Sequence, residues 1–124
     1  MKKYLSILCS IILALLLTAC GTFFEGSRTG NDKELVMDYK IFNTTDSQEL
    51  IVEEGDTIHA EIIVEGGSLS FKIQKDDEVP IYEGKDVTFS DEFDVEIEES
   101  GTYKVIVTGE NTKGSVSFTV DTHQ

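Results

Sequence analysis

Phe93-Asp94-Val95-Glu96-Ile97-Glu98 alternates apolar and acidic side chains without a break. Successive side chains of a β-strand point to opposite faces. Phe93, Val95 and Ile97 would therefore share one buried face while the acids face water; a helix would scatter the same pattern around its axis. Ser100-Gly101 then reads as a turn. Beyond it Tyr103, Val105 and Val107 form the inner face of a following strand, with Lys104 and Ile106 on the other face. A second turn is read over Gly109–Gly114, and Ser115–Val120 as the closing strand.

Upstream the same period recurs. Lys85–Phe89 and Val79–Tyr82 read as short strands, the latter at an edge because Pro80 has no N–H to donate. Ser68–Gln74 alternates cleanly, with Leu69, Phe71 and Ile73 inward. Gly66-Gly67 before it reads as a tight hairpin, since glycine reaches positive φ without a steric cost. Thr57–Val64, Glu49–Val52 and Leu35–Phe42 complete the set, with Glu53–Asp56 as a turn. No window between residues 32 and 124 carries a helical repeat. About eight short strands separated by turn signals predict an all-β fold, an antiparallel β-sandwich of jelly-roll or immunoglobulin-like type. Its expected core is Leu50, Val52, Ile58, Ile62, Leu69, Phe71, Ile73, Phe93, Val95, Ile97, Tyr103, Val105, Val107, Val116 and Phe118.

The opening of the chain has a different character. Met1-Lys2-Lys3 is basic, and Tyr4–Leu17 is apolar except for Ser6, Cys9 and Ser10. These are the parts of a secretory signal, predicted as a signal-peptide helix over residues 1–19. The apolar run is shorter than the ~20 residues that a membrane-spanning helix needs. Leu17-Thr18-Ala19-Cys20 resembles the lipobox of bacterial lipoproteins. That resemblance implies a diacylglycerol joined to the Cys20 sulfur, cleavage just before it, and a lipid-anchored protein on the extracytoplasmic face of the cell membrane. Two acyl chains anchor stably where one would not. Residues 20–33 then read as the lipidated cysteine and a flexible tether, because Gly21, Gly26 and Gly30 are spaced by small polar residues. Phe23 and Phe24 interrupt that tether; contact with lipid near the anchor is the preferred expectation, packing back onto the domain the alternative. The sandwich domain is expected over residues 34–122.

From residue 50 onward the layout is similar to Golgi-dynamics-like β-sandwiches and to bacterial pre-peptidase C-terminal domains. The resemblance rests on Val52–Ile58 with its Gly55-Asp56 turn, on Gly66-Gly67, on Phe93–Val105 with Ser100-Gly101-Thr102-Tyr103, and on Gly114–Val120. The Asp-rich entry to a strand that often follows the hairpin in the pre-peptidase type is absent, so the Golgi-dynamics-like comparison is preferred. Either resemblance implies a binding, targeting or accessory module and no enzyme. Immunoglobulin-like and polycystic-kidney-type domains share the Gly-Thr-Tyr, and there Tyr103 is expected to tie down a corner through its hydroxyl.

Charge bounds the partners. The 124-residue chain carries a formal charge of −14, moving to about −16 if Lys2 and Lys3 leave with the signal peptide. Such a surface repels nucleic-acid phosphates, which excludes nucleic acid as an expected partner. It also repels anionic headgroups, so the tethered domain should stand off its membrane. A protein or peptide partner, or a small-molecule ligand of unspecified class, is compatible with it.

Of the two cysteines, Cys9 lies in the signal segment, so the mature protein has only Cys20 and no internal disulfide. His59 and His123 are the only histidines. No thiol–histidine or serine–histidine arrangement and no phosphate-binding loop is legible, so no catalytic site and no cofactor beyond the covalent lipid is expected. Asp76, Asp77 and Glu78 on one turn, with Asp91 and Asp94 near the next, are the candidate metal ligands, since calcium gathers carboxylates from loops. Such a site would make the protein a calcium-dependent adhesion module. Tyr39 and Tyr82 are the candidate ligand contacts in a chain without tryptophan. The expected function is a membrane-anchored binding or accessory module, with a structural or assembly lipoprotein serving a membrane complex as the alternative.

Overall fold

The computed structural model describes residues 23–122, so the signal segment, Cys20 and His123 lie outside the described residues. Seven strands form the domain: β1 (Phe23–Asn31), β2 (Glu34–Asn43), β3 (Thr45–Val52), β4 (Thr57–Lys75), β5 (Tyr82–Val87), β6 (Asp91–Glu96) and β7 (Gly101–Asp121). Every pairing is antiparallel. No helix occurs among the described residues.

β4 and β7 have 19 and 21 residues, about twice the upper end of ordinary strand length. They are long because each serves two layers. The first half of β4 lies between β6 and the second half of β7, which in turn pairs with β2 and then β1. The second half of β4 lies between β5 and the first half of β7, which pairs with β3. The layers face each other: the Phe71 ring of one is 6.2 Å from Phe118 of the other. The result is an antiparallel sandwich with layer orders β1-β2-β7-β4-β6 and β3-β7-β4-β5. Each open side of the sandwich has its own closure. Tyr82 of β5 stacks on Phe93 of β6 at 4.3 Å on one side. On the other, Arg28 of β1 donates to Asp46 at 2.7 Å and to the Ser47 carbonyl at 3.0 Å on β3.

Two sequence-based turns are corrected here. Gly66-Gly67 is not a hairpin but the bend at which β4 passes from one layer to the other, and Gly109–Gly114 is the matching bend of β7. Gly67 has φ +69 and Gly114 φ +143. The positive φ expected from glycine is therefore present, but it bends a strand instead of reversing it. Thr112, fully buried, joins the two bends: its hydroxyl donates to the Ser68 carbonyl and accepts the Glu110 N–H.

Two further segments differ from expectation. Residues 23–31, read as part of a spacer, form β1, paired with β2 along its whole length. Phe24 packs onto Tyr39 and Phe42 with ring separations of 6.3 and 5.9 Å, while Phe23 stays half exposed. Val79, Pro80 and Ile81 form a loop ahead of β5, which is an edge strand.

The expected core residues are buried, except that Phe93 is partly buried against the core. Leu35, Met37, Tyr39, Phe42 and Ala60 join them. The burial of both Tyr39 and Phe42 breaks strict alternation because β2 is irregular between them. Tyr103 ties down its corner as expected, donating its hydroxyl to the Glu99 carbonyl at 2.6 Å.

Candidate functional site

The acids singled out as metal ligands are spread over separate places. Asp76 and Asp77 follow β4 and border a shallow depression with Glu49, Thr102 and Lys104. Glu78 borders another with Lys75, Glu96 and Glu99. Asp91 opens β6 beside Glu61 and Ser90, and Asp94 is hydrogen-bonded to His59. Among the described residues no group of three or more carboxylate, histidine or thiol side chains is arranged to hold a metal ion.

The two candidate tyrosines have structural places. Tyr39 is 3% exposed, which corrects its reading as a ligand contact. Its hydroxyl is buried and has no hydrogen-bond partner among the described residues, and burial pushes its ionisation far above the ordinary tyrosine range. Tyr82 is half-buried, its ring sandwiched near Phe71 and Phe93. One face is therefore committed to closing the β5–β6 side.

His59 on β4 and Asp94 on β6 are directly opposed across the sheet, with Nδ1 to Oδ1 at 2.5 Å. This is two members of a triad-like arrangement. The other ring nitrogen, Nε2, is 3.9 Å from the Glu92 carboxylate, which is an acceptor and no substitute for a serine or cysteine nucleophile. The hydrogen bond to Asp94 holds the His59 pKa above the ordinary value of 6.5, and nearby Glu92 and Asp121 act the same way.

The sign of its effect on stability follows. Protonated His59 is favoured in the folded state, so its contribution is fully present below the unfolded pKa and fades as pH rises through the folded one. The His59 ring protons should titrate by NMR with a midpoint above 6.5, and Asp94→Asn should bring that midpoint back toward 6.5. An unchanged midpoint in Asp94→Asn would show that the pair is not formed in solution.

The outer faces of the two layers differ in charge. On the β1-β2-β7-β4-β6 layer, Glu34, Asp38, Glu61, Glu92, Asp94, Glu96 and Asp121 face outward with Lys40 and His59. On the other layer, cross-strand rows bring together Glu83, Lys72, Ile106 and Ser47, and then Gln74, Lys104 and Glu49. Beside them Ser70 pairs with Thr108, and Thr108 with Thr45. Lys72, Lys85 and Lys104 lie on this face with Glu49 and Glu83, and Asp76 and Asp77 border it beside Glu49 and Lys104. A cleft of about 200 Å³ opens in it, lined by Ser70, Lys72, Glu83, Lys85, Ile106 and Thr108 together with Phe71 and Gly84. A side chain at position 84 would run into the Phe71 ring, so glycine is what lets β5 lie close here. Ile51, at the end of the same face, is 48% exposed. None of these residues stood out in the sequence. Ile106 opposite Val105 and Val107 was the one signal, an apolar side chain assigned to the outer face of a strand.

No family model matches the chain, and no curated protein matches it. Among solved structures the chain is similar to PliG of Aeromonas hydrophila, a periplasmic inhibitor of g-type lysozyme, at 16% identity. That alignment covers 82% of this chain and 89% of the other, with a TM-score of 0.47. It is also similar to a CBM4 structure at 10% identity, covering 82% and 79%, TM-score 0.43. A third similarity is to TmCBM61 in complex with β-1,4-galactotriose, at 16% identity, covering 77% and 66%, TM-score 0.38. No residue role is carried from them to this chain.

Proposed function

We propose that this protein is a lipid-anchored, extracytoplasmic lipoprotein whose sandwich is a non-catalytic binding module. Its contact surface is the outer face of the β3-β7-β4-β5 layer, and its partner is a protein or peptide. The carrying observation is the contrast between the faces. On a chain of charge −14, this face gathers Lys72, Lys85 and Lys104 among its acids and sets Ile106 and the exposed Ile51 among hydroxyls. Apolar side chains ringed by polar and charged groups have the layout of an interface, with an apolar centre and a polar rim. The acidic face opposite discourages non-specific contact by repulsion. The anchor rests on Leu17-Thr18-Ala19-Cys20. Non-catalysis is supported by the His59–Asp94 pair, whose free nitrogen faces a carboxylate.

Two measurements test this reading. Labelled palmitate should appear on the protein and vanish in Cys20→Ala, which should be released from the membrane. A photocrosslinking residue at Ile106 should capture a discrete partner on intact cells, whereas one at Ser117, on the acidic layer, should not. Adding Lys72→Glu should reduce the Ile106 adduct about tenfold or more, equivalent to ~1.4 kcal/mol. Equal adducts from both faces, or none from either, would remove this surface from consideration.

A further inference from the structure

The start of β1 restricts how an anchored domain can sit. Building on the lipid anchor proposed above, only Gly21 and Thr22 separate Cys20 from Phe23, the first residue of β1. Three peptide steps span about 10 Å when fully extended. From Phe23 onward the chain is hydrogen-bonded to β2, with Phe23 opposite Asn43. The end of the sandwich that holds Phe23 therefore cannot leave the bilayer surface.

Hydrogen bonds identify what else lies at that end. Asn43 accepts the Asn111 N–H at 3.1 Å, and the Thr44 carbonyl accepts the Gly109 N–H at 2.9 Å. Ser68 pairs with Glu110, so both interlayer bends are there. Val64 N–H donates to Ser90 at 3.1 Å, which brings Phe89 to the same end. Phe89 is 63% exposed and Phe23 50% exposed. Lys113, opposite Gly66, is the lysine of the bends, where Glu65 and Glu110 are the acids. The far end of β1 is roughly 27 Å away at 3.4 Å per residue. It carries the acidic loops: Glu53 and Glu54, Asp76 to Glu78, and Glu98 and Glu99.

We infer that the bend end is a bilayer-docking surface, with Phe23 and Phe89 seated in the headgroup zone and the acidic loops pointing away. Aromatic rings favour that zone. The loop end gathers more acids than the bend end, so anionic headgroups repel it more strongly, in the same sense as the short link. The acidic domain does not stand off its membrane on a leash; it stands on one end.

The test uses the full lipidated protein in vesicles of phosphatidylcholine and phosphatidylglycerol at seven to three (about that ratio suffices). A polarity-sensitive fluorophore is placed on Phe89→Cys or on Val79→Cys, and quenching by brominated lipid is read. Quenching at least about fivefold stronger from Phe89→Cys is expected, and a Gly-Ser insertion of about ten residues after Thr22 should weaken it. Equal quenching, or stronger quenching from Val79→Cys, overturns the docking surface. A protein lacking acyl chains on Cys20 overturns the anchor itself. A protein that is acylated and vesicle-bound, yet unquenched at Phe89→Cys, overturns only the orientation.

Discussion

Gly114→Ala should cost the domain more than about 3 kcal/mol, a large share of the ~5–15 kcal/mol that holds a domain folded. At φ +143 Gly114 sits where L-residues are strained, and a Cβ there would run into the backbone carbonyl of Ile63. That neighbour is backbone in the centre of a sheet, so no side-chain rotation can relieve the contact. Gly114 also pairs with Tyr39 on one side and Val64 on the other. Moving it would part β7 from two strands at the bend that joins the layers. Gly66→Ala is the control. Its Cβ would meet nothing nearer than the Lys113 Cβ at 3.9 Å, an ordinary contact. It should cost no more than about 1 kcal/mol. Thermal melts followed by circular dichroism separate the two. Equal melting temperatures for Gly114→Ala and Gly66→Ala would refute the account of the bends.

Phe118→Ala should cost about 3–5 kcal/mol. Phe118 is fully buried on the second half of β7. It pairs with Leu35 on one side and Ala60 on the other, and its ring reaches across to Phe71. Its direct partner on β4, Ala60, is too small to fill the space, and the flanking Ile58 and Ile62 are themselves fully buried. The loss should therefore include most of the cavity penalty in addition to the transfer term. At about 4–8 °C per kcal/mol for a domain of this size, the melting temperature should fall by at least about 12 °C. Phe118→Leu, which keeps most of the volume, should fall much less. A drop under about 4 °C for Phe118→Ala would mean that the two layers are not packed through this ring.

The candidate surface was less legible than the fold. Tyr39 and Tyr82 drew notice as aromatics in a chain without tryptophan, yet one is core and the other closes an edge. Asp76, Asp77 and Glu78 lie on the turn after β4, whereas Asp91 and Asp94 lie on β6, apart from them. The proposed contact face is assembled from Ser47, Ser70, Lys72, Glu83, Lys85, Lys104 and Ile106 among others. These residues come from four strands, and no local window contains their pattern. His59 and Asp94 likewise meet only because β4 and β6 pair in one register.

Alternation of side chains was enough to locate most of the strand segments and most of the core, because which face of a strand is buried is written in neighbouring residues. The same local chemistry could not distinguish a hairpin from a bend. Gly66-Gly67 and Gly109–Gly114 permit positive φ in either case, and the continuation of β4 and β7 across both layers depends on partners far along the chain. The tether was misread for a related reason. Phe23–Asn31 has little strand propensity of its own, and becomes β1 because β2 offers it an edge and Tyr39 and Phe42 offer Phe24 a place to pack. Local pattern sets what each segment can be; pairing and burial against distant segments decide which of those forms is stable.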